Sequence, residues 1–234
     1  MRLLVTRPAP DNARSAEALR ARGHDVTLAP VLRVEADADV DLGAGPWAAV
    51  LITSANAARA VADHPRRETC LRVPALCVGR RSAEAARAAG FAEVVSADGD
   101  AGDLARLVAA RAPNRPLLWL AGEDRAGDLA GALAASGIAV HTVVLYRAVA
   151  ETALPAAVRE ALAGGAIDGV LHYSRRSADA FEAIVMAAGI DLKSLPTKHY
   201  CLSAQVAAPL RQLGIEAVVV AERPDETALL ALLD

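Results

Sequence analysis

Phenylalanine, tryptophan and tyrosine make up only 3% of the 234 residues, so any ring that falls near a candidate site carries information. Lysine is almost missing too: Lys193 and Lys198 are the only two, and arginine carries nearly all the positive charge. The formal net charge is −3, where a nucleic-acid protein would present a basic face, so no nucleic-acid partner is expected. Cys70, Cys77 and Cys201 have no metal-type spacing, and an odd count makes no disulfide framework. His24, His64, His141, His172 and His199 lack ligand spacing, so no metal is expected. His172 falls inside an apolar run and reads as a packed core histidine. No apolar run approaches the ~18–20 residues a membrane span needs, and "MRLLVTRPAP" is too short in its apolar part for a signal peptide. These absences predict a soluble protein of a reducing compartment, the cytoplasm. No GxGxxG follows a strand, and neither GxxxxGK[ST] nor G-x-S-x-G occurs, which removes dinucleotide, P-loop and nucleophile-elbow chemistry.

The 54% of hydrophobic residues, much of it alanine, is ample for a core, and it is arranged as a repeat. "CVGRRSAEAARAAGFAEVV" from Cys77 matches "CLSAQVAAPLRQLGIEAVV" from Cys201 at an offset of 124. "VLITSANA" from Val50 matches "VLHYSRRSA" from Val170, bringing Ser54 and Ser174 into correspondence 120 positions apart. A weaker pair, "LLVTRPAPDNARSAEALRARGHDV" from Leu3 and "LLWLAGEDRAGDLAGALAASGIAV" from Leu117, keeps Leu19/Leu133, Gly23/Gly137 and Val26/Val140. Three units therefore occur in order and then occur again. Each reads as strand, turn and helix, with Gly23, Gly90, Gly137 and Gly214 at helix ends. That alternation predicts α/β structure with parallel sheets and right-handed crossovers.

"PVLRVEA" (Pro30–Ala36) and "VVLYRAVA" (Val143–Ala150) break the rhythm by alternating apolar and polar, as half-exposed strands do. As a matched pair they could form a two-stranded connector between two similar α/β domains, the first discontinuous. The boundaries expected are 1–32 with 150–234 for domain 1, 36–144 for domain 2, and 33–35 with 145–149 for the connector strands. A split near Pro113 into two contiguous halves is the competing topology.

Ligands of open parallel sheets bind outside the carboxyl ends of the strands, where helix N-termini offer unpaired N–H groups to anions. The turns expected there, "TRPAPD", "TSANA", "VGRRS", "LAGEDRAG", "YSRRS" and "LSAQV", share small residues, hydroxyls and arginine. They bring up Arg7, Ser54, Asn56, Arg80, Arg81, Ser82, Gly122, Arg125, Ser174, Arg175, Arg176, Ser177 and Ser203. One such serine is explained by helix capping, worth about 1 kcal/mol; six similar turns in a duplicated chain suggest anion seats. The acids of "GEDRAGD" need only the helix dipole. No nucleophile-plus-base constellation can be read.

With these residues in place, the chain resembles the uroporphyrinogen-III synthases of tetrapyrrole biosynthesis. The resemblance runs in order over essentially the whole chain: "TRP" after the first strand, "LITSANAARA", "CVGRRSAEAA", "LAGEDRAGDLAGALAASG" before "VVLYRA", "YSRRSADAF", and "GIEAVVVAERPDETALLALL". It implies two α/β domains joined by a two-stranded connector, and a lyase that closes linear hydroxymethylbilane with inversion of ring D and loss of water. No cofactor is implied. The partner implied is the tetrapyrrole substrate, received by transient hand-over from porphobilinogen deaminase, with a monomer as the expected state. Tyr146 matches the connector tyrosine, a candidate general acid, since phenols stay protonated at neutral pH; a tyrosine simply packed at a domain junction is the alternative. The substrate-seating set is Arg7, Ser54, Asn56, Gly79, Ser82, Gly122, Ser174 and Ser203, with the serine turns of the two domains facing each other across a cleft. "SAQV" departs from the family's usual glycine- and threonine-containing turn, which leaves backbone N–H contacts as the alternative to a Ser203 hydroxyl. Arg175 and Arg176 likewise stand where many members carry proline or other residues. Two rivals remain at this stage. A non-catalytic two-domain protein closing on a small anion would give Tyr146 no role, and a bisubstrate transferase should show a nucleotide or phosphate motif.

Overall fold

The computed structural model describes residues 1–125 and 127–233. Its strands are β1 (Arg2–Val5), β2 (Asp25–Leu28), β3 (Leu32–Ala36), β4 (Val50–Ile52), β5 (Ala75–Cys77), β6 (Val94–Ser96), β7 (Leu117–Gly122), β8 (Val140–Ala150), β9 (Gly169–His172), β10 (Lys198–Cys201) and β11 (Val218–Val220). The helices are α1 (Asp11–Arg20), α2 (Ala55–Ala62), α3 (Glu68–Leu71), α4 (Arg80–Ala88), α5 (Ala101–Arg111), α6 (Leu129–Ala134), α7 (Ala156–Ala163), α8 (Arg175–Ala187), α9 (Ala204–Gln212) and α10 (Glu226–Leu230).

The chain divides into two compact units, Met1–Arg33 with Val149–Asp234, and Val34–Ala148. The sheet associated with the first runs β11-β10-β9-β1-β2, with parallel pairing throughout. The other sheet runs β3-β8-β7-β4-β5-β6, parallel from β8 to β6. Written from one edge, β11-β10-β9-β1-β2 and β6-β5-β4-β7-β8 are the same order of repeated pieces. Each compact unit therefore takes pieces from both halves of the duplication. Two contiguous halves are ruled out, because β1 lies between β9 and β2.

The buried strands are apolar on both faces, as parallel sheets covered by helices require. Leu4 and Val170 face α7, α8 and α9 through Leu162, Phe181 and Leu210, while Leu3, Val5 and Leu171 face α1 and α10 through Leu19 and Leu229. The second unit repeats this with Val50, Ile52 and Leu120 on one face and Leu51, Leu76 and Trp119 on the other. Gly90 and Gly214 follow α4 and α9 with φ of +102° and +83°, a region that side-chain-bearing residues rarely adopt.

The two extended segments that broke the rhythm are neighbours in one sheet. Asp37 N–H donates to the Leu145 carbonyl and Glu151 N–H to that of Val31, each at 2.9 Å. Ion pairs flank these strands, Arg147 to Glu35 at 2.9 Å and Arg33 to Glu151 at 3.4 Å. The second segment is not a separate strand. It is the far end of β8, which starts at Val140 as the parallel partner of β7 and continues through a register shift at Ala121/Gly122.

Candidate active site

In the second unit, the turns after β4, β5, β6 and β7 surround a pocket of about 520 Å³. Thr53 and Ser54 come from the first turn, Val78 from the second, and Asp100 to Gly102 from the start of α5. Trp119, Gly122, Asp124, Arg125, Leu129 and Tyr146 complete it. This is the carboxyl end of a parallel sheet, where the fold places ligands.

The register shift decides where Tyr146 goes. Gly122 pairs with Tyr146, and the Glu123 N–H donates to the Tyr146 carbonyl at 2.9 Å. A Cβ on Gly122 would lie 2.7 Å from Cζ and 2.8 Å from the hydroxyl oxygen of Tyr146. The ring thus rests directly on the glycine backbone, and any side chain at 122 would push it away.

Tyr146 also lines a second recess of about 580 Å³, with Glu35, Asp37, Asp39, Glu123 and Arg147. Arg147 is paired there with Glu35, so carboxylates dominate and a polyanion is disfavoured. On the other side, Trp119 Nε1–H donates to Thr53 Oγ1 at 3.2 Å, and the Arg125 guanidinium stands 5.8 Å from the centre of the Trp119 ring. Asp100 is engaged by its own helix: its carboxylate accepts the Gly102 and Asp103 N–H groups at 2.8 and 3.0 Å, and Asp103 answers the Asp100 N–H at 2.9 Å. That N–H, with Arg106 beyond it, holds the Asp103 carboxyl below its ordinary range.

The first unit shows the same positions differently filled. Ser174 caps α8 in a reciprocal box with Ser177, and Ser203 caps α9 by accepting from Val206 N–H at 3.4 Å. In the second unit Ser54 caps α2 through the Asn56 N–H at 3.1 Å, and the Asn56 side chain accepts from Arg59 at 2.8 Å. Gly79 is the N-cap of α4, and Ser82, in its first turn, is buried.

Arg7 is not in an open seat. It is 8% exposed, and it donates to Ser15 at 3.0 Å, Glu226 at 2.9 Å and Asp11 at 3.4 Å. Its guanidinium lies 4.2 Å from the centre of the Tyr173 ring. Ser15 also donates to Glu226 in a short contact. Burial above all pushes the Tyr173 phenol up to about 12; its hydroxyl lies by Ser15 and Glu226 but makes no hydrogen bond of ordinary geometry among the described residues.

Of the expected site residues, the structure brings Ser54, Gly122 and Tyr146 into one pocket. Thr53, Trp119 and the start of α5 complete it, and sequence reasoning did not select them. Trp119 had a signal, one of two tryptophans in a ring-poor chain, but inside "LLWLAG" it looked like core. Among the described residues no cluster of three or more His, Cys, Asp or Glu is placed to hold a metal, and no helix is long and apolar enough to cross a membrane.

Two parallel α/β units, one inserted into the other and each ending its strands in serine-capped turns, define a duplicated two-domain α/β class. The profile of the family described as uroporphyrinogen-III synthase HemD matches residues 13–231. The chain belongs to that family. The structure is similar to uroporphyrinogen-III synthetase from Helicobacter pylori, with a TM-score of 0.68 and 17% identity over 100% of this chain and 98% of that one. It is also similar to a mutant uroporphyrinogen III synthase from Thermus thermophilus, with a TM-score of 0.52 and 20% identity over 100% and 97% of the two chains. No protein of curated function matches in sequence. The enzyme is a lyase of porphyrin biosynthesis acting on a tetrapyrrole: it closes hydroxymethylbilane, inverting ring D and releasing water, to give uroporphyrinogen III.

Proposed function

We propose that the pocket of the second unit seats part of the bilane, with Tyr146 as the general acid that starts the reaction. The observation that carries this is the Tyr146 ring resting on Gly122 within the pocket. The phenol gives its proton to the terminal hydroxyl as the C–O bond breaks, water leaves, and the azafulvene cation remains. After inversion the ring-closing carbon loses a proton, which restores the phenol. Holding the bilane in a ring-closing shape lowers the barrier further, because orientation replaces a search in solution. The acidic recess on the far side of Tyr146 disfavours substrate carboxylates there and so favours the Arg125 side.

Ser54, Ser82, Ser174 and Ser203, with Gly79 and Asn56, act as turn seats, offering backbone N–H groups while their hydroxyls cap helices where the caps are seen. Arg7 serves as a strut behind those seats, since two carboxylates engage it. The enzyme works as a monomer in the cytoplasm and receives bilane by transient hand-over from porphobilinogen deaminase; its three free, buried thiols suit a reducing compartment.

The test is a coupled assay in which porphobilinogen deaminase supplies hydroxymethylbilane and the oxidised porphyrin isomers are separated. Wild-type protein should turn isomer I into isomer III. Tyr146→Phe should lower turnover about 100-fold or more, the range of a general acid beginning near that factor, with product affinity unchanged. An undiminished rate would remove Tyr146 from the proton transfer.

A further inference from the structure

We propose that Arg125 is the residue of this pocket that binds a carboxylate of the tetrapyrrole, and that Trp119 is its positioning residue, holding the guanidinium over its ring and the Thr53 hydroxyl beside it. The assignment rests on the reading of the pocket as a substrate seat, and adds to it the group that recognises the substrate's charge.

Three features support it. Among the described residues Arg125 is the one cation lining the pocket, and it sits over an aromatic face. A guanidinium within about 6 Å of an indole face keeps its N–H groups for an anion, and a planar fork fits a carboxylate with two bonds. The Trp119 ring is itself 4% exposed and packed among Leu104, Leu129 and Leu133, so the platform is rigid.

The Thr53 contact supplies the second donor. An indole N–H can only donate, so Thr53 Oγ1 accepts from Trp119 and the hydroxyl hydrogen remains to donate. Guanidinium and hydroxyl then line the same pocket as donors, both placed by a single ring. Asp100, the carboxylate at the start of α5, is engaged by the N–H groups of its own helix.

The test uses Trp119 as its own reporter. The chain has two tryptophans, and Trp47 stacks on His141 outside the pocket, so in a Trp47→Phe background Trp119 emission reports occupancy. Titrated with uroporphyrinogen III, Arg125→Met should bind about 10–100-fold more weakly, the loss of a charge-assisted pair, and lose much of its salt dependence. In the coupled assay its KM should rise by a similar factor with kcat little changed. Arg125→Lys should recover only part of the affinity, because an ammonium lacks the planar fork. In the Trp47-containing protein, Trp119→Phe should give a smaller, few-fold rise in KM, since the platform stays and only the N–H is lost.

Wild-type affinity and KM in Arg125→Met would overturn the assignment. If Tyr146→Phe still lowers turnover in that case, the pocket reading stands and Arg125 alone falls. If Tyr146→Phe is also like wild type, the pocket reading fails and takes Arg125 with it.

Discussion

Each unit lays an arginine on an aromatic ring at the carboxyl end of its sheet, and the two pairs are built for different work. Arg7 stands 4.2 Å from the Tyr173 ring centre with its side chain 10% exposed, held by Asp11 and Glu226. Arg125 stands 5.8 Å from the Trp119 ring centre and lines a pocket of about 520 Å³. The same residue chemistry is tied down by ion pairs in one unit and lines a pocket in the other. What separates them is the company: two carboxylates already satisfy Arg7, and they tie α10 to the start of α1. The contrast shows that an arginine beside a strand end can be engaged by carboxylates of its own chain or can face a pocket.

The sharpest way to break this comparison is to swap the observables. Glu226→Ala should lower stability by roughly 1.5–2 kcal/mol, because the nearly buried guanidinium loses one of its two carboxylates and keeps Asp11 and Ser15, seen as a fall in melting temperature. Arg125→Met should leave the melting temperature almost unchanged while binding collapses. A Glu226→Ala protein as stable as wild type would remove the strut role of Arg7.

A second contrast lies in the first unit's core, where His172 and His199 face each other at 3.1 Å, fully buried against the edge of Phe181. His172 Nδ1 and His199 Nε2 meet no partner among the described residues. Burial pushes the His199 imidazole down to about 4, and burial together with His199 pushes His172 well below the ordinary value. Both are neutral in the folded protein, so their full stability is present above pH ~6.5. As pH falls from there toward about 4, the unfolded chain takes protons that the native pair refuses, and stability drops. His199 alone accounts for roughly 3 kcal/mol over that window, and urea titrations between neutral pH and pH ~4 should show it. Replacing both histidines by leucine should flatten the slope; an unchanged slope would mean the pair is not its source. The Asp168 carboxyl, held down to about 2 by Arg2, contributes in a lower window, with its share lost only below pH ~3.8.

The smallest effects separate cap from seat. Ser174→Ala removes one side of a reciprocal box with Ser177 and should cost about 1 kcal/mol; Ser54→Ala, with one bond to Asn56 N–H, should cost somewhat less. If either change weakens product binding more than that cap loss accounts for, the hydroxyl itself touches substrate.

Much of the fold was legible in the chain. Periodicity marks the helices, glycines mark their ends, and the repeat at an offset of 124 puts β5, α4 and β6 against β10, α9 and β11. The alternating segments around Arg33 and Tyr146 pair as expected. Of the pocket lining, Ser54, Gly122 and Tyr146 stood out in the sequence by position, but Trp119 hid in an apolar strand, and Arg7, ion-paired in the fold, looked as open as Arg125.

The sequence by itself determined the local pieces, because strand, cap and helix-end preferences act within a few residues of one another. It also determined that the pieces come twice. Only the tertiary structure decided which copies share a sheet, since β1 pairs with β9 across more than half the chain and no local preference encodes that partner. It alone set the register shift that lays Tyr146 on Gly122 and the ion pairs that close off Arg7 while Arg125 lines a pocket. Those outcomes depend on distances between groups far apart in sequence, which come into existence only when the sheets form.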